Sequence, residues 1–340
     1  MPLAPPPGYR CDNVNPFDTS ELLKARDRLL AGDVVAIPTE TVYGLAASIE
    51  SEAGLRKIFA TKERPFFDPL IVHVASFAQA RTLVKDWPPV ADFLARFFWP
   101  GPLTIVLPKA ETVNPLITSG LSSVAIRYPS HPVAQDLIKL AAVPLAAPSA
   151  NKFGKTSPSR AEHVRAEFPG IDLLVLDGGD CEVGVESTVV EINVLSEDES
   201  EVRILRPGGV TEEMIRETLE KFSRSVRVVR AESPVAPGHL KHHYMPPVPL
   251  VILPEDEPTP LSLRRRTQLQ SDLKTNELRN TSELVLNQDP EQAARELYSE
   301  MRRLAEEGAD LLFIRAPRDR SGLWSAIWDR LTRAASLNLS

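Results

Sequence analysis

The chain of 340 residues has no GxxxxGK[ST] phosphate loop and no GxGxxG turn after a strand, so a bound nucleotide would be held by some other arrangement. Cysteine is scarce. Only Cys11 and Cys181 occur, neither beside a second Cys or a His at zinc-ligand spacing, which supports neither a disulfide framework nor a zinc site and fits a reducing compartment. His239, His242 and His243 are close in sequence, but neighbours in an extended chain face opposite ways, so no metal site is expected there. Positive charge is not in excess: 39 Lys+Arg stand against 46 Asp+Glu, a net charge of −7. The molecule as a whole therefore lacks the field that a nucleic-acid backbone requires, and strong direct nucleic-acid binding is not expected. The opening MPLAPPPGYR has no apolar run of the signal-peptide kind, and no stretch approaches bilayer length, so a cytoplasmic protein that makes no use of a membrane is expected.

What is present is ordinary for a globular protein: 43% hydrophobic and 25% charged residues, enough for two domains. The 31 prolines cluster at boundaries and shaped loops. Residues 1–18 read as a flexible arm. Thr19 or Ser20 then caps a helix with Leu22, Leu23, Leu29 and Leu30 at helical spacing, ending at Gly32. From Asp33 the pattern alternates between strands (VVAIP, LAASI, PLIVHV, LTIVLP, SVAIRYP, PLAAPSA, LLVLDG, STVVEI, VRILRPG) and helices. Strands outnumber the helices between them, which predicts an α/β fold with one curved, mixed sheet flanked by helices over 19–230. Residues 231–249 are rich in Pro, Gly and His and read as a linker. Residues 250–340, with strands PLVIL, ELVLN and ADLLFIRAP between amphipathic helices, predict a smaller Rossmann-like α/β domain with a parallel sheet.

Several segments could carry chemistry. Lys62 and Arg64 lie two apart in a Pro-bounded loop, and in extended conformation both cations project the same way, suited to a polyphosphate. The same KxR also reads as two solvated charges. Ser149 and Asn151, in PLAAPSANKFGKTSPS, offer hydrogen bonds at close approach, or a Ser/Pro turn with a helix cap. PTETVYGLA ends a strand with Thr39, Glu40, Thr41 and Tyr43, and VGVESTVVEI opens one with Glu186, Ser187 and Thr188. Arg127 and Arg206 follow apolar strand residues, where a buried cation demands an anion, from a ligand or from an internal carboxylate. His73 interrupts PLIVHV.

Together PTETVYGLA, KERPFFDPLIVHV, FWPGPLTIVLP, VAIRYPSHP, PLAAPSANKFGKTSPS, GVESTVVEI and ILRPGGVT follow the order of the threonylcarbamoyl-AMP synthase family, the YrdC-like domain, which about Ser20 to Phe222 resembles. PGHLKHHYMP and the segments beyond it resemble the family's two-domain branch. The resemblance implies that Lys62 and Arg64 contact ATP phosphates and that Ser149 and Asn151 line the shared pocket. It also implies that Thr39, His73, Arg127 and Ser187 surround threonine, with Arg127 on its carboxylate, and that Ser123, Ser159 and Arg206 lie on the nucleotide side. His243 and Tyr244 match a pair expected to fold back as a cover, which would make the linker a lid. Two positions depart from the pattern: Asp68, on the ATP side, where the family usually has Asn, and Glu63 where the KxR middle residue is usually Gly. An anion at Asp68 would repel polyphosphate unless protonated or bridged by a metal.

The implied reaction joins L-threonine, bicarbonate and ATP into threonylcarbamoyl-AMP and pyrophosphate, with no protein nucleophile. Lys62 and Arg64 would supply catalytic charge stabilisation. Mg2+ is expected to arrive with ATP rather than in a private site. Proteins that transfer the group to tRNA are the expected downstream partners. The rival reading is an RNA-binding module of YrdC-like fold without synthase activity.

Overall fold

The computed structural model describes residues 19–231, 243–275, 277–316 and 319–340. The expected arm and residues 232–242 of the expected lid lie outside the described residues. In chain order the first unit begins with α1 (Thr19–Leu30), β1 (Val35–Ile37), β2 (Gly44–Ser48), α2 (Glu52–Lys62), β3 (Ile71–His73), α3 (Phe77–Thr82) and α4 (Pro89–Phe98). It continues with β4 (Leu103–Pro108), α5 (Pro115–Thr118), β5 (Ser123–Arg127), α6 (Pro132–Ala141), β6 (Leu145–Ala146) and α7 (Ala161–Glu167). It closes with β7 (Leu174–Val175), β8 (Thr188–Val194), β9 (Glu199–Arg206), α8 (Glu212–Leu219) and β10 (Ser225–Arg230). The ten strands form one sheet in the order β10-β9-β8-β4-β5-β3-β6-β2-β1-β7. Parallel pairs such as β3 with β5 and β4 with β8 mix with antiparallel ones such as β4 with β5 and β8 with β9, the mixed sheet that the strand count predicts.

Side-chain alternation explains why helices cover both faces of this sheet. Val34 and Ala36 join Leu45 and Ala47 in the core under α2, α4 and α8, while Val35, Ile37 and Ala46 pack on the other face against Leu22, Ala25 and Leu29 of α1 and Val133 and Leu137 of α6. In α1, Leu23 and Leu30 are exposed, contrary to expectation; Leu22, Ala25 and Leu29 make the buried stripe.

The second unit comprises β11 (Leu250–Leu253), α9 (Leu263–Leu273), β12 (Thr281–Glu283), α10 (Pro290–Glu306), β13 (Leu311–Arg315), α11 (Gly322–Ala334) and β14 (Leu337–Asn338). Its four strands run parallel in the order β12-β13-β11-β14. The strand expected at ELVLN begins earlier, at Thr281, and ends at Glu283. Elements α5, α9, β10 and β14 were not expected. Only Leu269 of α9 is buried, so its sequence has almost no apolar stripe to read; Ser262 marks its start by accepting from the Arg265 amide.

The two units share a core. Val42, Val185 and Tyr244 pack with Leu297, Tyr298 and Met301 of α10 and Ile327 and Leu331 of α11. Contact is tight at Gly184, whose φ of +77° favours glycine and where a Cβ would lie 2.3 Å from the Arg295 Cα.

Candidate active site

Strand register builds one wall of the site. His73 of β3 pairs with Arg127 of β5, which pairs with Thr104 of β4, so these three polar side chains stand in a row on one sheet face. Ser187, just ahead of β8, extends the row, its Oγ 2.7 Å from the Thr104 Oγ1. The loop after β1 closes over it: the Arg127 Nη1 donates to the Thr41 Oγ1 at 2.8 Å, and the Arg127 Nη2 lies 2.8 Å from the Glu40 Oε1. Arg127 thus has an internal carboxylate, yet neither Glu40 oxygen nor that Nη2 makes a well-aligned hydrogen bond. Thr39 is a local hub, its hydroxyl donating to the Val42 carbonyl at 2.6 Å and accepting from the Thr41 and Val42 amides.

Lys62 and Arg64 do not sit in an extended loop. Lys62 ends α2 and Glu63 caps it in the left-handed region at φ 52°, which turns the chain so that Arg64 follows on the inner side. The turn a glycine makes easily is thus retained by Glu63, whose exposed carboxylate meets the Lys152 ammonium at 2.7 Å. The Lys62 Nζ is buried and donates to the carbonyls of Ser149, at 2.5 Å, and Asn151, joining the KxR and SxN segments. Burial, and after it Arg64, hold the Lys62 ammonium well below the ordinary lysine range. Asp68 faces Arg64: its Oδ2 lies 2.9 Å from the Nη2, and the Arg64 Nε donates to its carbonyl at 3.1 Å. The departure at Asp68 is thereby offset by an adjacent guanidinium.

These pieces surround a cavity of about 550 Å³, part of it open to solvent. Thr39, Arg64, His73, Arg127, Ser149, Ser187, Arg206, His243 and Tyr244 line it. Lys62, Asp68 and Asn151 stand directly behind that lining. The Asn151 amide is turned to the Lys152 and Lys155 carbonyls. Ser159 bonds Ser299 of α10 at 2.9 Å, and Ser123 opens β5 at the end opposite Arg127; neither lines the cavity. Arg206, ending β9, donates to the Ser187 carbonyl at 2.9 Å and hydroxyl at 3.1 Å. His243 and Tyr244 are buried, and the chain beyond them is held by Met245, whose amide donates to the Gly154 carbonyl at 2.8 Å. Burial, reinforced by Arg127, lowers His73 to about 3; burial also lowers His243 to about 3, opposed by Glu186 and aided by Arg64, Lys62 and Arg206. Both rings are neutral near pH 7.

Residues 27–208 match the family described as Telomere recombination, which groups Sua5, YciO and YrdC proteins, and residues 210–336 match Threonylcarbamoyl-AMP synthase, C-terminal domain. Over 324 residues the chain is 37% identical to a threonylcarbamoyl-AMP synthase of Pyrococcus abyssi, covering 91% of this chain and 92% of that one. The chain belongs to the threonylcarbamoyl-AMP synthase family. A Bacillus subtilis synthase of this family is 42% identical over 234 residues, covering 68% of this chain and 66% of that one. The crystal structure of P. abyssi Sua5 complexed with L-threonine covers 94% of this chain and 96% of that one at 35% identity, with a TM-score of 0.78. Both units of the chain are thus a family feature, and the chain is an enzyme whose relatives make an adenylate.

Sequence reasoning singled out Glu186 without a role and passed over Tyr298 and Arg330. The Glu186 carboxylate lines the cavity and accepts from the Ser157 hydroxyl at 2.5 Å, the Tyr298 hydroxyl at 3.0 Å and the Arg330 Nε at 2.8 Å. Burial would raise this carboxyl, but Arg330, Arg206 and the hydrogen bonds from Ser157 and Arg330 outweigh it and hold it at about 2. A signal for Arg330 existed: Ala326, Arg330 and Ala334 recur every fourth residue on the buried face of α11. An arginine on an apolar stripe requires an acid elsewhere in the fold. Among the described residues no helix is long and apolar enough to cross a membrane.

Proposed function

We propose that the cavity binds L-threonine and ATP side by side, and that bicarbonate joins them to give threonylcarbamoyl-AMP and pyrophosphate for tRNA modification. The observation that carries the reading is that three guanidinium groups, Arg64, Arg127 and Arg206, face one cavity in a chain of this family. Arg127 takes the threonine carboxylate with the fork that Glu40 only partly occupies, and Thr39, His73, Ser149 and Ser187 complete the amino-acid end. Arg64, backed by Lys62, takes the phosphates, and Arg206 lies on the nucleotide side.

Threonine's amine adds to bicarbonate with loss of water, and the resulting carbamate oxygen attacks the α-phosphorus as pyrophosphate departs. No protein nucleophile is used. The residues contribute alignment and charge neutralisation, with neutral His73 adding no positive charge beside the threonine amine. Magnesium belongs with the nucleotide phosphates, whose charge it would offset: Asp68, Glu40 and Glu186 are each committed to an arginine, and the described residues hold no group of three or more metal-type ligands. His243 and Tyr244 cover the cavity and exclude water from the labile product before the transfer proteins receive it.

The test is to incubate purified protein with ATP, labelled bicarbonate and individual amino acids, measuring pyrophosphate and a labelled adenylate. Threonine-dependent formation of both is expected; release without threonine dependence would sink the reading.

A further inference from the structure

The second unit contributes a cation that stands behind the wall of the cavity without lining it. Arg330 of α11 has 0% exposure. It reaches three separate segments of the wall. Its Nε donates to the Glu186 Oε2 at 2.8 Å, its Nη1 to the Pro207 carbonyl at 2.7 Å, and its guanidinium carbon lies 5.3 Å from the Tyr244 ring centre. Each segment supplies lining residues: Glu186 with Ser187, Arg206 beside Pro207, and His243 with Tyr244. Tyr298 of α10 assists, donating to Glu186 and stacking on Tyr244 with ring centres 5.9 Å apart. The two wall segments also pack closely on each other, since a Cβ on Gly208 would lie 2.4 Å from the Glu186 carbonyl oxygen.

From this geometry we infer that Arg330 is a positioning residue for the nucleotide end of the site, which keeps Glu186 paired so that an anionic substrate meets no bare carboxylate. The inference rests on the reading of the cavity as an ATP site. It gives the second unit a defined part in substrate binding: a buried guanidinium delivered from α11, whose Nη1 also pairs with the Asp329 Oδ2 at 3.0 Å. A carboxylate lining a cavity with its cation removed repels polyphosphate, and low-dielectric surroundings strengthen the repulsion.

The experiment is calorimetric titration of full-length protein with MgATP, and separately with L-threonine, for wild type, Glu186→Gln, Arg330→Met and the double variant, after far-UV circular dichroism has established folding. Arg330→Met is expected to weaken MgATP binding by at least about tenfold, through one unpaired charge beside the phosphates, and threonine binding by a smaller factor. The double variant is expected to bind MgATP within about threefold of Glu186→Gln alone, because neutralising the carboxylate removes the need for the cation. A purely structural role would leave the double variant as weak as Arg330→Met. That result would overturn the inference, as would wild-type MgATP affinity in Arg330→Met. If Arg330→Met fails to fold, the comparison of Glu186→Gln with the double variant decides, and an unfolded double variant counts against the inference. Absence of MgATP binding in the wild type would overturn the ATP reading itself, and the inference with it.

Discussion

Two buried arginine–glutamate pairs border the same cavity, and they differ in how completely they are satisfied. Arg127 and Glu40 approach to 2.8 Å within the first unit, but both carboxylate oxygens and the facing Nη2 lack aligned hydrogen bonds. Arg330 and Glu186 approach to the same 2.8 Å across the two units, and their carboxylate is saturated by Ser157, Tyr298 and Arg330 together. A pair with spare hydrogen-bonding capacity beside a cavity can accept a ligand's carboxylate; a saturated pair can only hold the wall. In the reading proposed above the first is a binding device and the second a scaffold, although their equal separations of 2.8 Å would equate them.

This distinction can be broken first at the scaffold. Arg330→Met should lower unfolding stability by about 3–5 kcal/mol in urea titration, since it strands a buried carboxylate. Arg127→Met should cost less, because Arg127 lines the cavity and removing its guanidinium opens a path for water to Glu40; equal losses would erase the contrast. The second test reverses the emphasis. Arg127→Met should raise the threonine KM on the order of 100-fold or more, by loss of a charged fork, with a smaller effect on the ATP KM. A threonine KM within threefold of wild type would make Arg127 a scaffold residue too.

Acid should sharpen the comparison through groups whose charge state depends on burial. His73 and His243, held at about 3 against an ordinary 6.5, take up protons on unfolding, so their contribution falls as pH drops below about 6.5 towards 3. Glu186 is held at about 2 against an ordinary 4.5; its contribution is complete above about 4.5 and is lost as pH falls through about 2. Stability measured by denaturant titration should therefore decline by on the order of 3 kcal/mol between pH 6.5 and 5, from the two histidines, before the scaffold pair is affected. A His73→Asn variant should show a shallower decline. The smallest effect is expected at the turn beside Arg64. Glu63→Gly relieves a left-handed backbone but frees the unfolded chain and loses the Lys152 contact, leaving a net change within about 0.5 kcal/mol in the same measurement.

Strands were legible where alternating or continuous apolar residues met a sheet covered on both faces, as at Val34 to Ile37. Legibility failed where elements are weakly buried. In β10 only Val228 is buried, and α9 buries Leu269 alone. The polar row of the site was partly readable, since His73, Arg127 and Ser187 interrupt or flank apolar strands. The KxR geometry was not: two residues apart suggested an extended loop, but a helix end and a left-handed cap supply the turn instead.

By itself the sequence determined which faces of its strands are buried, where chemistry-bearing residues punctuate them and which family the whole resembles, because these follow from local periodicity and motif order. Tertiary structure alone decided which acid neutralises which base. Glu186 and Arg330 are 144 positions apart, and Thr41 and Arg127 are 86 apart. Coulomb attraction and hydrogen bonding depend on distance in space, and only the packed chain converts such separations into contacts of a few ångströms.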